Sequence, residues 1–267
     1  MTALHALLLG IVEGFSEFLP ISSTAHLILT SALLKLEQTE FLKTFEVVIQ
    51  LGAILSVVVV YWRSLLIRKD VMLRIIVAFI PTAIIGFLLE RIIRNVLFEN
   101  IPTILWSLFI GGLILIAFEK LHQSSLSELR PTSKPSPKDV ADMSTMSYKQ
   151  AFLVGLCQAL AVVPGVSRSG ATIVGGMLFG ISRKAIVDFS FVLAVPTMLA
   201  ATVLSMVKHS DEMSFDQSGL LAIGFVTSFI VALISIKWLL GYVKKHTFVA
   251  FGVYRIVIAL VFWTLLF

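Results

Sequence analysis

The chain is organised as long apolar runs separated by short polar stretches. Six runs, 45–62, 71–89, 101–118, 189–207, 219–236 and 247–267, approach or reach the ~20 residues that an α-helix needs to cross a bilayer, allowing for a charge at an end. Two further regions, 1–34 and 148–181, are apolar but interrupted by acidic, hydroxyl, Pro and basic or His residues. Their flanks hold only ~10–17 residues, too short for a comfortable span. Polar, non-helical backbone is tolerated at membrane depth only where protein or a wet cavity surrounds it. Each interrupted region is therefore expected to be a broken helix or re-entrant hairpin; the alternative is one or two ordinary spans.

The one linker-like stretch, 123–147, is rich in Ser, Pro and charge, and divides the chain into a first half, 1–122, and a second, 148–267. The halves resemble each other. Pro20 in FLPISST matches Pro164 in VVPGVSR, and Ser23 matches Ser167 three positions on. Phe45 and Phe189 each follow their proline by 25 residues, and three spanning segments follow in each half. Paired halves with interrupted segments at matching positions point to a binding site near mid-membrane, at the repeat interface. With hairpins, 14 Lys and Arg fall on one side of the membrane and 5 on the other. The basic side is then cytoplasmic, and the halves have inverted topology. The expected fold is an all-α polytopic membrane protein, an inverted repeat of six spanning helices plus two re-entrant helical hairpins.

Composition strengthens this reading. Of 267 residues, 58% are hydrophobic and 14% charged, and mean hydropathy is +0.98. A water-soluble fold of this size has too little interior for that much apolar surface. The net charge of +5 reflects loop asymmetry rather than nucleic-acid binding. The lone Cys157 excludes a disulfide framework or a Cys-based metal site within the chain.

Polar groups inside a membrane are functional candidates by default. Glu13 and Glu17 are one helical turn apart on one face. Two converging carboxylates repel unless a cation or proton resolves the repulsion. Oxygen-only ligation suits Mg²⁺ or Ca²⁺, with phosphate oxygens completing the shell; a proton-carrying or capping pair is the alternative. Ser22, Ser23 and Thr24 follow the helix-breaking Pro20 and can cap a new helix. His26, beside Ser23 and the acids, is a candidate general base, general acid or nucleophile. In PGVSRSGAT, Gly165 and Gly170 permit close backbone approach, Ser167, Ser169 and Thr172 supply hydroxyls, and Arg168 supplies a planar cation suited to phosphate. Arg168 can equally pair with Glu13 or Glu17. Glu46 and Gln50 share a helical face as supporting partners, Glu46 alternatively as a cap, and Arg255 is expected only in a structural ion pair. On these grounds alone, a lipid-phosphate enzyme and a transporter or flippase are both open.

EGFSEFLPISSTAH and PGVSRSGAT, together with TFEVVIQLGAI and FSFVLAVPTM, resemble the signature regions of the undecaprenyl-diphosphatase, or bacitracin-resistance, family, and the resemblance runs over essentially the whole chain. It implies a membrane hydrolase that converts undecaprenyl diphosphate to undecaprenyl phosphate and inorganic phosphate, recycling the lipid carrier of cell-wall synthesis. It also implies a divalent cation, bacitracin resistance on overexpression, and an active site on the outer side of the bacterial cytoplasmic membrane. Under it, Glu13 and Glu17 are the paired acids and metal ligands. Ser23 and His26, with Glu17, are catalytic, and Arg168 binds phosphate amid Ser22, Thr24, Ser167, Ser169, Gly170 and Thr172. Ser23, His26 or water can be the nucleophile. The expected partners are the lipid substrate and the bilayer, with a homodimer as a candidate state.

Overall fold

The computed structural model describes residues 1–37, 39–92, 100–129, 142–208 and 217–267. These form ten α-helices in the described residues: α1 (Ala3–Ser16), α2 (Ser23–Leu33), α3 (Glu40–Leu66), α4 (Lys69–Ile92), α5 (Ile101–Leu129), α6 (Tyr148–Ala159), α7 (Arg168–Leu178), α8 (Arg183–Lys208), α9 (Ser218–Tyr242) and α10 (Val249–Leu266). Helices α3, α4, α5, α8, α9 and α10 are long and apolar enough to span a bilayer; the first five contain the corresponding runs read from the sequence, and α10 covers 249–266 of the sixth run, 247–267. Among the described residues there is no β-strand. Much of the outward surface is large and apolar, including Leu88, Trp106, Trp238 and Trp263, as a lipid-facing surface requires. The chain is a multi-pass, all-α membrane protein.

Within the expected linker, 123–147, α5 continues helical to Leu129; residues 130–141 lie outside the described residues, as do Arg94 and the side chain of Arg91 from the opposite loops. Later in the linker, the Ser144 N–H donates to the Asp142 carboxylate at 2.8 Å and holds that carboxyl below its ordinary pKa.

The interrupted regions each fold as two short helices. At 1.5 Å per residue, the 14-residue α1, 11-residue α2, 12-residue α6 and 11-residue α7 all fall well short of a ~30 Å hydrocarbon core. Capping boxes start both leading helices, Thr2 with His5 on α1 and Ser147 with Gln150 on α6. The breaks are local. Pro20 lies in the first, ahead of Ser22, which takes φ +73°. In the second, a 3₁₀ turn at Leu160–Val162 precedes Pro164 and Gly165, whose φ of +91° suits glycine.

Helix neighbours cross between the halves. α1 packs on α9, and α6 on α4; α3 packs on α9 and α8 on α4; α3 also packs on α8, and α5 on α10. Exchanging the halves leaves this set of pairs unchanged. Lipid provides no hydrophobic force between helices, so small residues that admit close backbone approach matter. A Cβ on Gly14 would stand 2.5 Å from the Ser228 carbonyl oxygen of α9. Behind the two breaks lies an apolar core containing Phe18, Ile54, Ile186, Phe189 and Phe191.

Candidate functional site

The two breaks meet. On the first, Glu17 sits at the C-terminal end of α1 and Ser23 opens α2. On the second, Ser167 caps α7 by accepting the Gly170 N–H at 3.1 Å, and Arg168 is the first helical residue. The Ser167 hydroxyl contacts that of Ser169 at 3.0 Å, and Ser169 donates to the Leu19 carbonyl at 2.8 Å. Residues 148 to 150 positions apart are thereby stitched together within the protein.

Glu17 joins the elbows. One carboxylate oxygen accepts a short hydrogen bond from the Ser23 hydroxyl. The other accepts from Arg168 Nη2 at 3.3 Å. Arg168 Nη1 donates to the Ser190 carbonyl at 2.9 Å, and its guanidinium lies 6.0 Å from the centre of the Phe18 ring. Arg168 Nε is buried without a hydrogen-bond partner among the described residues. Ser23 and Glu17 are buried at 8% relative exposure each, so this bridge is screened from solvent.

One turn before Glu17, Glu13 is fully buried. No donor of the described residues reaches either of its oxygens, and it feels the charges of Glu17, Glu46 and Arg168. Among the described residues this buried cluster thus holds more carboxylates than cations. That arrangement calls for a cation or protons. Among the described residues no three acidic, His or Cys side chains converge as a metal cluster. Two carboxylates fit Mg²⁺, which usually binds one or two protein carboxylates and completes its shell with phosphate and water.

His26 lies one helical turn beyond Ser22. Its Nδ1 is 2.7 Å from the Ser22 carbonyl, so Nδ1 carries the proton, and neutral Nε2 accepts from the Tyr254 hydroxyl at 2.9 Å. The imidazole and phenol rings are nearly parallel, at 6°. His26 therefore bonds to α10, while Ser23 bonds to a carboxylate.

The remaining sequence candidates divide. Ser22 heads α2 without a side-chain capping bond, in a left-handed conformation uncommon outside glycine and often found at functional sites. Thr24 is half-buried and takes no part in these bonds. Thr172 donates to the Arg168 carbonyl at 2.8 Å and neighbours Gln158, whose amide donates to Thr82 and Thr197. Glu46 is not a cap: Thr39 caps α3, seven positions earlier. Among the described residues Arg255 makes no ion pair. Its guanidinium donates to four backbone carbonyls, those of Pro20 (3.3 Å), Gly165 (2.9 Å), Ser107 (3.0 Å) and Leu108 (3.3 Å).

Sequence reasoning overlooked Tyr254 and the buried pair of Glu119 with Arg183, 2.8 Å apart, in which Glu119 also accepts the Phe248 N–H. Tyr254 could have been found from its place beside a charge in mid-span, and Glu119 from being an acid at a span's end.

These bonds define a class: a polytopic membrane protein in which two interrupted segments join an acid, a hydroxyl and an arginine in one buried bridge, with a second acid beside it and an imidazole one turn along α2. Comparison then gives the family. Residues 6–261 match the family described as "Bacitracin resistance protein BacA", and the chain belongs to it. A protein of Aquifex aeolicus (strain VF5) named undecaprenyl-diphosphatase is 48% identical over 262 residues, 98% of each chain. A relative of the same name from Sulfurihydrogenibium sp. (strain YO3AOP1) is 47% identical over 98% of this chain and 99% of its own. Another, from Bdellovibrio bacteriovorus, is 44% identical over all of this chain and 97% of its own.

Proposed function

We propose that this protein hydrolyses undecaprenyl diphosphate to undecaprenyl phosphate and inorganic phosphate. The observation that carries the reading is the Glu17 bridge, which ties a nucleophile on one elbow to a phosphate-binding cation on the other. Near-full-length relatives named undecaprenyl-diphosphatase support it. Hydrolysis fits this constellation better than flipping, because a hydroxyl held by a carboxylate has a use in phosphoryl transfer and none in carrying a lipid.

In this mechanism the diphosphate lies between the elbows. Ser23 Oγ attacks the terminal phosphorus in line with the bridging oxygen and gives its proton to Glu17. The bond from phosphorus to that oxygen breaks, and the lipid monophosphate departs. Water then attacks the phosphoserine phosphorus, the bond from phosphorus to Ser23 Oγ breaks, Glu17 returns its proton to Oγ, and His26 Nε2 takes the water's proton once Tyr254 releases it. Arg168 opposes the charge on the transferring group, for which phosphoryl transfer depends on positioning and electrostatics. Glu13 and Glu17 would hold a divalent cation, which when bound supplies further neutralisation of phosphate charge. The prenyl chain lies in the apolar protein–lipid boundary.

The same reading builds the protein as two inverted halves, 1–122 and 148–267, in the bacterial cytoplasmic membrane with the site open to the outer side. The exchange-invariant helix pairs and the excess of basic residues in one set of loops support it. Purified protein in detergent provides the test. Phosphate release from the prenyl diphosphate that requires a divalent cation is expected without any sealed compartment. Lipid movement in vesicles without hydrolysis in detergent would favour a flippase.

A further inference from the structure

We propose that Arg255 is a positioning residue of this site: it fixes the spacing of the two elbows and thereby sets Arg168 against Glu17 and Ser23. The inference rests on the phosphatase reading and deepens it.

Arg255 is a charged residue in the middle of an 18-residue spanning helix and is 3% exposed. A cation at that depth carries a steep insertion cost, and its hydrogen bonds go to carbonyls rather than to an acid. The carbonyls it gathers are informative. Pro20 lies between Glu17 and Ser23, Gly165 lies three residues before Arg168, and Ser107 and Leu108 belong to the spanning α5. One rigid, planar group therefore ties both elbows to the same helix. An amide side chain has two N–H donors, and a lysine ammonium has no fixed fork; only the guanidinium has five donors in fixed directions. Its charge also reaches His26, whose Nε2 is held by the adjacent Tyr254. Successive residues of α10 thus address the imidazole and both backbone turns.

The fit extends to α5. A Cβ on Gly111 would collide with the Arg255 guanidinium, so the glycine leaves room for it. Arg255 follows Gly111 by 144 residues, the spacing that separates Pro20 from Pro164 and Ser23 from Ser167. The brace therefore stands where corresponding positions of the two halves face each other, at the α5–α10 contact.

Two variants test the assignment. Arg255→Lys keeps the charge and loses the fork. Gly111→Ala leaves Arg255 intact, adds the better helix former and displaces only the flexible end of its side chain. Each should lower kcat for prenyl diphosphate about 10- to 100-fold, the scale of losses from misplaced reacting groups. Elution volume in detergent should stay near wild type while melting temperature falls, because buried carbonyls lose their donors, and KM should change less than kcat. Because the brace acts through Arg168, combining Arg255→Lys with Arg168→Lys should cost much less than the product of the single losses. Wild-type kcat in either variant, or full multiplicativity in the double variant, would overturn the inference. Activity retained by Arg168→Ala would instead overturn the underlying phosphatase site, so the two failures are distinguishable.

Discussion

Arg168 offers the sharpest perturbation of the proposed chemistry. Its guanidinium spends one nitrogen on Glu17 at 3.3 Å, one on the Ser190 carbonyl at 2.9 Å, and leaves Nε buried without a partner among the described residues. Removing one member of a buried ion pair costs ~3–5 kcal/mol of stability, so Arg168→Ala tests folding and catalysis together. Arg168→Lys separates them. It keeps a cation near Glu17 but cannot serve Glu17, Ser190 and a phosphate oxygen in one plane. The loss of one charge-assisted hydrogen bond is ~1.5–3 kcal/mol. At 1.36 kcal/mol per tenfold in rate, this becomes about a 10- to 150-fold fall in kcat/KM. The assay is phosphate release against substrate concentration in detergent, alongside a melting curve. Arg168→Lys should melt close to wild type and turn over slowly, with Arg168→Ala at least ~100-fold impaired, as expected when a group stabilising developing charge is lost. A lysine variant within threefold of wild type would remove the guanidinium from the account.

Other outcomes follow from the same geometry. Ser23→Ala and His26→Ala should each lower phosphate release at least ~100-fold while the protein still inserts; a quenched reaction on labelled substrate should trap label on Ser23, and label on His26 would reassign the nucleophile. Glu13→Gln should raise the divalent-cation concentration needed for half-maximal activity, and chelation should abolish turnover in wild type; chelator-resistant turnover would remove the cation from the site. Gly165→Ala, forced to φ +91° with its new Cβ 2.7 Å from the Ile104 carbonyl oxygen, should lower both melting temperature and activity, whereas unchanged values would show that the second elbow tolerates a shifted backbone.

The spans were legible because a bilayer imposes a length and a polarity that can be counted along the chain. The elbows were legible because polar residues beside prolines have few other uses at that depth. Glu13, Glu17, Ser23 and Arg168 could be nominated from spacing and chemistry, and the structure gathers Glu17, Ser23 and Arg168 through direct bonds, with Glu13 beside them. What spacing could not reveal was the direction of each side chain. Ser167, Ser169 and Thr172 could be nominated as hydroxyls near phosphate; their hydrogen bonds to Leu19, to one another and to Arg168 could not be read from their spacing. Arg255 looked like half of an ion pair because a charge suggests a countercharge, whereas its partners are backbone carbonyls that no residue name advertises. Tyr254 gained a role only when folding brought α10 against α2, 228 residues from His26.

The meeting of the elbows around a headgroup can be read as a cross-link. A Cβ at Gly170 would lie 3.5 Å from Pro20 Cβ, within the span of about 3.5–4.5 Å that a disulfide bridges. With the native Cys157 changed to Ala, Pro20→Cys and Gly170→Cys should join rapidly on oxidation in native membranes. A non-hydrolysable prenyl diphosphonate with divalent cation should slow that reaction by binding against both elbows and shielding the paired thiols from the oxidant. Failure to cross-link, or a rate indifferent to the diphosphonate, would contradict a shared diphosphate site.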